Sequence, residues 1–179
     1  MKHEPLFLTF AEIIEIHDCQ IEHFGGGEDL RDIELLKSVT GIPSATFGGE
    51  YLHPTILEMA AAYLYHLVEN HPFVDGNKRV GAMAALIFLD LNGYDFDASD
   101  AEFTDMGLKV AGGKMLKAEI TLFFRQHTHS RKLKNPYQAG ETDTDVVRGY
   151  FPRKSLRCSS QLAGEKRRPG FPDARYGDA

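Results

Sequence analysis

Hydrophobic residues recur every three or four positions as far as residue 128, which is the spacing that one face of an α-helix presents. The first segment shows this spacing at four positions: Ile13, Ile14, His17 and Ile21. Thr9 and Glu12 form a capping box ahead of it, and the glycine triplet at 25–27 is a helix stop. The pattern predicts a first helix between these two points.

The same spacing predicts five further helices. They lie at about residues 32–39, 54–70, 77–92, 101–111 and 115–127. Pro54 is expected in a first helical turn, where proline is tolerated, and Pro72 ends the same helix because the residue before a proline is pushed away from helical angles. The 77–92 segment is apolar on nearly every side, which is typical of a helix at the centre of a bundle. The last helix is expected to bury a stripe of four residues: Leu116, Ile120, Phe123 and Phe124.

Two segments do not follow the helical pattern. Residues 44–53 carry Gly48 and Gly49 between two aromatic residues, so a loop or a small hairpin is expected there. Residues 129–179 are rich in Pro, Gly, Ser and charge without a sustained period, which is typical of disorder. We therefore predict an all-α domain at residues 1–128, a helical bundle around a central buried helix, followed by a basic, largely disordered tail.

Composition and charge exclude several classes of function. No apolar run approaches the roughly 18 residues of a membrane span, and the N-terminus lacks the features of a signal peptide, so a cytoplasmic location without membrane contact is expected. The net charge is −6, but residues 131–179 hold 11 basic and 6 acidic residues, which leaves −11 on the first 130. A domain this acidic is not expected to bind a nucleic-acid backbone directly.

The sequence ENHPFVDGNKRVGAM, residues 69–83, places many polar groups just before the apolar 77–92 segment. The first N–H groups of a helix have no intrahelical partner and lie at the positive end of its dipole, which makes an anion site. Gly76 would let an anion approach closely, and Asn77 offers amide donors. Lys78 and Arg79 add positive charge at the same place. The pattern is typical of a site for more than one phosphate.

Two further side chains could carry chemistry there. A lone carboxylate beside phosphates commonly holds Mg²⁺, which is a role for Asp75, and His71 could take a proton from an attacking hydroxyl. Taken singly, Asp75 could instead cap the next helix, and the Lys-Arg pair could be a solvated surface. Phe73 is expected to insert into the core. The combination of these residue types around a glycine at a helix start favours the functional interpretation.

The sequence His71-Pro72-Phe73-Val74-Asp75-Gly76-Asn77-Lys78-Arg79 resembles the motif of the Doc (death-on-curing) branch of the Fic superfamily. The resemblance extends over roughly residues 5–128. It implies an all-α Fic fold that binds ATP and Mg²⁺ at this loop, with residues 44–53 as a flap that holds the target's main chain. It also implies roles for six residues: His71 as general base, Asp75 as the Mg²⁺ ligand, and Gly76, Asn77, Lys78 and Arg79 as phosphate ligands.

Two positions depart from the nucleotide-transferring Fic pattern and bear on the reaction. Lys78 stands where those enzymes carry glycine, and Ala82 stands where they carry a second arginine. A lysine there should obstruct the α-phosphate, so that ATP binds reversed and presents its γ-phosphate. The resemblance then implies a protein kinase toxin that phosphorylates a threonine of elongation factor Tu and arrests translation, within a type II toxin–antitoxin system.

Control of such a toxin is expected to come from outside the chain. The Fic autoinhibitory pattern is missing, since its nearest match, residues 46–51, ends in Tyr51 where Gly or Asn is required. The resemblance implies an antitoxin whose C-terminal segment folds into a groove on the toxin. Two alternatives stay open from the sequence: an AMP transferase that adenylylates proteins, and a catalytically inactive Fic-fold binding module.

Overall fold

The computed structural model describes residues 4–131, which fold mainly into helices. The α-helices are α1 (Phe10–Phe24), α2 (Ile33–Gly41), α3 (Ile56–Asn70), α4 (Asn77–Leu91), α5 (Asp100–Ala111) and α6 (Lys117–Gln126), with a 3₁₀ turn at Ile42–Ser44. The strands are β1 (Thr46–Phe47), β2 (Glu50–Tyr51), β3 (Tyr94–Phe96) and β4 (Thr128–Ser130). The prediction of a mostly helical bundle is confirmed.

Local capping places the helix starts. The Thr9–Glu12 capping box is present at α1, and Gly25 ends that helix as expected. At α3 the prediction for Pro54 was wrong, because Thr55 is the N-cap and the helix begins at Ile56. The Thr55 hydroxyl accepts a hydrogen bond from the N–H of Glu58 at 3.2 Å, and the Glu58 carboxylate accepts one from the N–H of Thr55 at 2.9 Å.

The centre of the bundle is the contact between α3 and α4. The predicted central helix α4 is buried along most of its length, and α3 shares the centre with it and also packs against α2, α5 and α6. At Gly81 the backbones come close together: a Cβ there would lie 2.9 Å from a methyl of Val68 and 3.0 Å from the carbonyl oxygen of Leu64. Close packing at this point fixes the position of α4, and therefore of its N-terminus, relative to α3.

Two short ribbons accompany the helices. Residues 44–53 contain a small hairpin, β1–β2, in which Thr46 pairs with Tyr51 and Phe47 with Glu50. The sequence pattern did not predict the second ribbon, β3–β4, in which the antiparallel strands pair Tyr94 with Ser130. The prediction missed it because each strand is three residues long and the two lie more than 30 residues apart in the chain.

The ordered structure passes the predicted boundary at residue 128, since β4 includes His129 and Ser130. Arg131 then donates its backbone N–H to the carbonyl oxygen of Gly93 at 2.7 Å, and its guanidinium donates to the carboxylate of Asp90. Residues 132–179, most of the predicted disordered tail, lie outside the described residues, so that disorder stays a prediction.

The last helix differs from its predicted buried stripe. Ile120 and Phe124 are buried and Phe123 is half-buried, but Leu116 is 64% exposed, so its predicted burial was wrong. Leu116 is the N-cap of α6 and has extended backbone angles, so its side chain does not belong to the buried face of the helix that follows. Among the helices between residues 4 and 131, none has the length and apolar character needed to cross a bilayer.

A half-buried histidine on α3 makes the stability of the fold depend on pH. The Nε2 atom of His66 lies 3.1 Å from the ammonium of Lys117 on α6. Burial, the Lys117 charge and His53 together lower the pKa of His66 to about 4. A histidine in the unfolded chain titrates near 6.5, so between these values the unfolded chain binds a proton that the folded chain excludes.

We therefore expect His66 to lower the free energy of unfolding as the pH falls from about 6.5 to about 4. His66→Gln removes the titrating group and should flatten this part of the pH dependence. Lys117→Met should flatten it partly, because burial is the larger cause of the shift. Urea unfolding midpoints across this pH range measure the effect. If the midpoint changed with pH equally in the wild type and in His66→Gln, the prediction would be contradicted.

Candidate functional site

The segment that joins α3 to α4 forms the wall of a cavity of about 150 Å³. Its lining consists of His71, Val74, Asp75, Gly76, Asn77, Lys78 and Arg79. All six residues singled out from the sequence therefore meet at one place. Since pockets for whole small molecules usually measure about 300–1,000 Å³, this volume suits an anion of phosphate size.

His71 lies at the rim of the cavity and has an unusual backbone. It is the C-cap of α3, with φ 47° and ψ 59°, and it is the one non-glycine residue with positive φ among residues 4–131. Left-handed geometry costs free energy for a residue with a Cβ, and such positions cluster at functional sites. The buried Pro72 follows at once, so the chain turns sharply here and leaves His71 exposed.

The side chain of Asn77 closes the loop. It is buried, its Oδ1 accepts a hydrogen bond from the N–H of Phe73 at 2.9 Å, and its Nδ2 donates one to the carbonyl oxygen of Phe73 at 2.9 Å. Both groups of the amide are thus bonded to one backbone unit four residues earlier. Asn77 keeps two further donors, its backbone N–H and the second hydrogen of Nδ2.

The first turn of α4 leaves its amides open. Gly76 is the N-cap with φ 80°, and the first helical hydrogen bond runs from the N–H of Val80 to the carbonyl oxygen of Gly76 at 2.9 Å. In the described part of the chain, the backbone N–H groups of residues 77–79 have no acceptor. Within the same residues, the half-buried Lys78 has no carboxylate within 4 Å of its ammonium. Amides and ammonium together offer an anion site.

Arg79 is largely committed to the protein itself. It is 5% exposed, and its Nη1 donates to the carbonyl oxygen of Gly25 at 3.0 Å. Its Nη2 lies 3.4 Å from Oδ2 of Asp75. The guanidinium therefore ties the end of α1, where carbonyl groups carry partial negative charge, to the start of α4. A phosphate contact from Arg79 stays a prediction and would use its remaining N–H groups.

The Asp75 side chain contacts both the backbone N–H of Gly76 and the guanidinium of Arg79. Its side chain is 29% exposed, and its Oδ1 accepts a hydrogen bond from the N–H of Gly76 at 2.5 Å. The N-cap of α4 is Gly76, which has no side-chain cap, so Asp75 is not the conventional capping residue considered from the sequence. Within residues 4–131, no group of three or more His, Cys, Asp or Glu side chains is placed to hold a metal. A single carboxylate fits Mg²⁺ when phosphate oxygens and water supply the other ligands.

One residue of the site was missed from the sequence. His17 of α1 is 1% exposed, and its ring stacks on Phe73 with centroids 4.0 Å apart and an interplanar angle of 4°. Its Nε2 lies 3.2 Å from the carbonyl oxygen of Asp75, so Nε2 carries the hydrogen that it donates. The predicted insertion of Phe73 into the core is confirmed. In the sequence, His17 is only one member of a helical stripe, so nothing there distinguished its role.

The loop between α1 and α2 is a second wall of the site. The N–H of Val74 donates to the carbonyl oxygen of Asp29 at 3.0 Å, and the N–H of Arg31 donates to the carbonyl oxygen of Pro72 at 2.9 Å. Leu30 and Phe73 form an isolated antiparallel bridge. The sequence marked the start of this loop only as a helix stop, because its contact with residues 72–74 spans more than 40 positions of chain.

Known proteins match the part of the chain that contains this site. A model of the Fic/DOC family matches residues 7–89. The Toxin Doc of Mycolicibacterium smegmatis is 43% identical over 83 residues, which are 44% of this chain and 64% of that relative, so the match spans less than two thirds of it. The Protein kinase doc of Escherichia phage P1 is 31% identical over 110 residues, which are 61% of this chain and 85% of that relative.

The geometry predicts different effects for two neighbouring substitutions. Asn77→Ala leaves the N–H and carbonyl of Phe73 without partners in a buried place, so the free energy of unfolding should fall by about 2–3 kcal/mol. Lys78→Ala, in the same helical turn, should change it by less than about 0.5 kcal/mol. Chemical denaturation of both variants measures the difference, and equal destabilisation would contradict the structural role of Asn77.

Proposed function

This chain belongs to the Fic/DOC family, and on that premise we propose that it is a Doc-type toxin that transfers the γ-phosphate of ATP to a protein hydroxyl. The observation that carries the proposal is the open first turn of α4. At this turn three backbone N–H groups, which have no acceptor within residues 4–131, and Lys78 lie beside a cavity whose volume suits a phosphate. The names Toxin Doc and Protein kinase doc of the two relatives support the toxin and kinase assignments.

Binding of the triphosphate follows from the charges of this turn. The amides of residues 77–79 would donate to phosphate oxygens, and the helix dipole favours negative charge at the same point. Lys78 would add a charged donor that no carboxylate of the described residues neutralises. Mg²⁺ bound by Asp75 and phosphate oxygens would neutralise charge on the transferred group. The cofactors of the proposed reaction are therefore ATP and Mg²⁺.

The family resemblance implies that His71 is the proton acceptor, and the cavity lining supports this proposal. Two lining side chains carry an atom that can act as a base, His71 and Asp75. The Asp75 carboxylate already accepts from Gly76 and pairs with Arg79, whereas His71 is exposed at the rim. We assign His71 as the general base: the substrate oxygen bonds to the γ-phosphorus, its proton passes to the imidazole, and ADP leaves with the bridging oxygen.

The direction of ATP binding rests on two residues of α4. Lys78 lies in the first turn, where its side chain would obstruct an α-phosphate placed against the amides and would hold other phosphate oxygens instead. Ala82 is buried one turn later, so the second arginine of nucleotide-transferring Fic enzymes has no counterpart at that position. Both features favour γ-phosphoryl transfer over AMP transfer.

The partners of the proposed toxin come from the family resemblance. The substrate would be a threonine of elongation factor Tu in the bacterial cytoplasm, and its phosphorylation would arrest translation. The inhibitor would be a cognate antitoxin whose C-terminal segment folds onto the helical domain. Residues 4–131 are rich in carboxylates, which suits a segment with basic side chains.

The reaction class can be tested with ATP labelled at either end. Purified protein is incubated with Mg²⁺, elongation factor Tu and ATP labelled at the γ- or the α-phosphate. Label should reach the factor from the γ position only, and His71→Ala should abolish transfer while His129→Ala, in the exposed strand β4, should not. Label from the α position would identify an AMP transferase. Nucleotide binding without transfer would identify an inactive binding module.

The role of Lys78 can be tested in the same assay. Lys78→Gly removes the ammonium and opens the first turn of α4, so γ-phosphoryl transfer should fall about a hundredfold, the usual effect of losing one charged donor to a transferred group. Thermal stability should fall only by the cost of a glycine in the first helical turn, at most about 1 kcal/mol, since Lys78 is half-buried and has no ion-pair partner within residues 4–131. Wild-type rates of γ-transfer in Lys78→Gly would contradict the proposed direction of binding.

A further inference from the structure

We infer that Gly26, in the loop between α1 and α2, is a positioning residue that sets the orientation of the Asp75 carboxylate. The inference rests on the proposed function in one respect, the use of Asp75 toward Mg²⁺. Gly26 has φ 125°, and a Cβ built on it would lie 2.0 Å from Oδ2 of Asp75 and 3.0 Å from its Cγ. No real side chain fits in that space while the carboxylate stays where it is.

The atoms that a Cβ would meet lie at the ends of two side chains, the carboxylate of Asp75 and, at 3.0 Å, Cδ1 of Ile21. A collision with backbone would force the loop apart, but the Asp75 carboxylate can rotate about χ1 and χ2. Rotation would move Oδ2 away from Arg79, now 3.4 Å distant, and would change the orientation in which the carboxylate meets a cation. Glycine is needed at position 26 for two reasons: its φ of 125° is a backbone conformation that residues with a Cβ rarely adopt, and the space beside it is filled by the Asp75 carboxylate.

The rest of the loop holds Gly26 against Asp75. At one end of the loop, the carbonyl oxygen of Gly25 accepts a hydrogen bond from Arg79 at 3.0 Å. At the other end, the carbonyl oxygen of Asp29 accepts one from the N–H of Val74 at 3.0 Å. Nε2 of His17 donates a hydrogen bond to the carbonyl oxygen of Asp75 at 3.2 Å. The loop is thus attached to the site on both sides of Gly26, which keeps Gly26 next to the Asp75 carboxylate.

Neighbouring glycines provide matched controls. A Cβ on Gly27 would meet only ordinary contacts, 3.8 Å from Val74 and 3.9 Å from Cβ of Asp75. Gly113, in the turn between α5 and α6, has φ 64° and open space around it, so Gly113→Ala carries left-handed backbone strain without a collision. Gly27→Ala therefore controls for an alanine in this loop and Gly113→Ala for an alanine at positive φ, while the strain specific to φ 125° is common to Gly26→Ala with and without Asp75→Asn.

The first measurement is the affinity for ATP with and without Mg²⁺, by calorimetry on the full chain. In Gly26→Ala the gain in affinity that Mg²⁺ provides should fall about tenfold or more, as in Asp75→Asn, while binding of metal-free ATP is retained. Gly27→Ala and Gly113→Ala should keep the wild-type gain. Adding Gly26→Ala to Asp75→Asn should cause no further loss. If Gly26→Ala lowered the affinity for ATP equally with and without Mg²⁺, the role of Gly26 would be structural only and the inference would be overturned.

A second measurement needs no nucleotide and separates the inference from the proposed function. The side-chain ¹⁵N–¹H resonances of Arg79 report its pairing with Asp75. In Gly26→Ala they should move to the positions seen in Asp75→Asn, and in Gly27→Ala they should stay at those of the wild type. If the wild type shows no Mg²⁺-dependent ATP binding, the proposed function fails and this spectrum decides the inference. Unchanged Arg79 resonances in Gly26→Ala would overturn it.

Discussion

The pair of hydrogen bonds between the Asn77 side chain and the backbone of Phe73 is the interaction on which the site depends. It joins the first residue of α4 to the loop before it, so the position of the helix start is tied directly to that of the loop. Phe73 is buried and stacked on His17, which anchors that unit in the core. Because the amides of α4 are rigidly placed, they can bind an anion without first being ordered.

The polar residues of the loop divide into those that hold it and those that are open to a ligand. Asn77 and Arg79 are buried, and their donors reach backbone carbonyls of Phe73 and Gly25. Lys78 lies between them in the chain and His71 lies at the end of α3, and both are accessible to solvent. Burial explains this division, since a buried donor without a partner costs free energy whereas a partly hydrated ammonium does not.

Two parts of the chain that are far apart in sequence build the site together. The loop after α1 pairs with residues 72–74 through backbone hydrogen bonds, and Arg79 reaches back to the end of α1. Asp75 is enclosed between them, with Gly26 on one side and Arg79 on another. Contacts from both segments fix the orientation of the Asp75 carboxylate.

The sequence by itself determined the helices, the hairpin segment and the list of residues around the cavity, because these depend on capping, periodicity and a motif nine residues long. Tertiary structure alone decided how those residues are used. That Arg79 bonds to Gly25, that His17 supports Asp75, that Gly26 must lack a side chain and that β3 pairs with β4 all depend on contacts between distant positions. Local preferences act over a few residues, whereas the packing of α1 against α4 arises only when the whole core is buried.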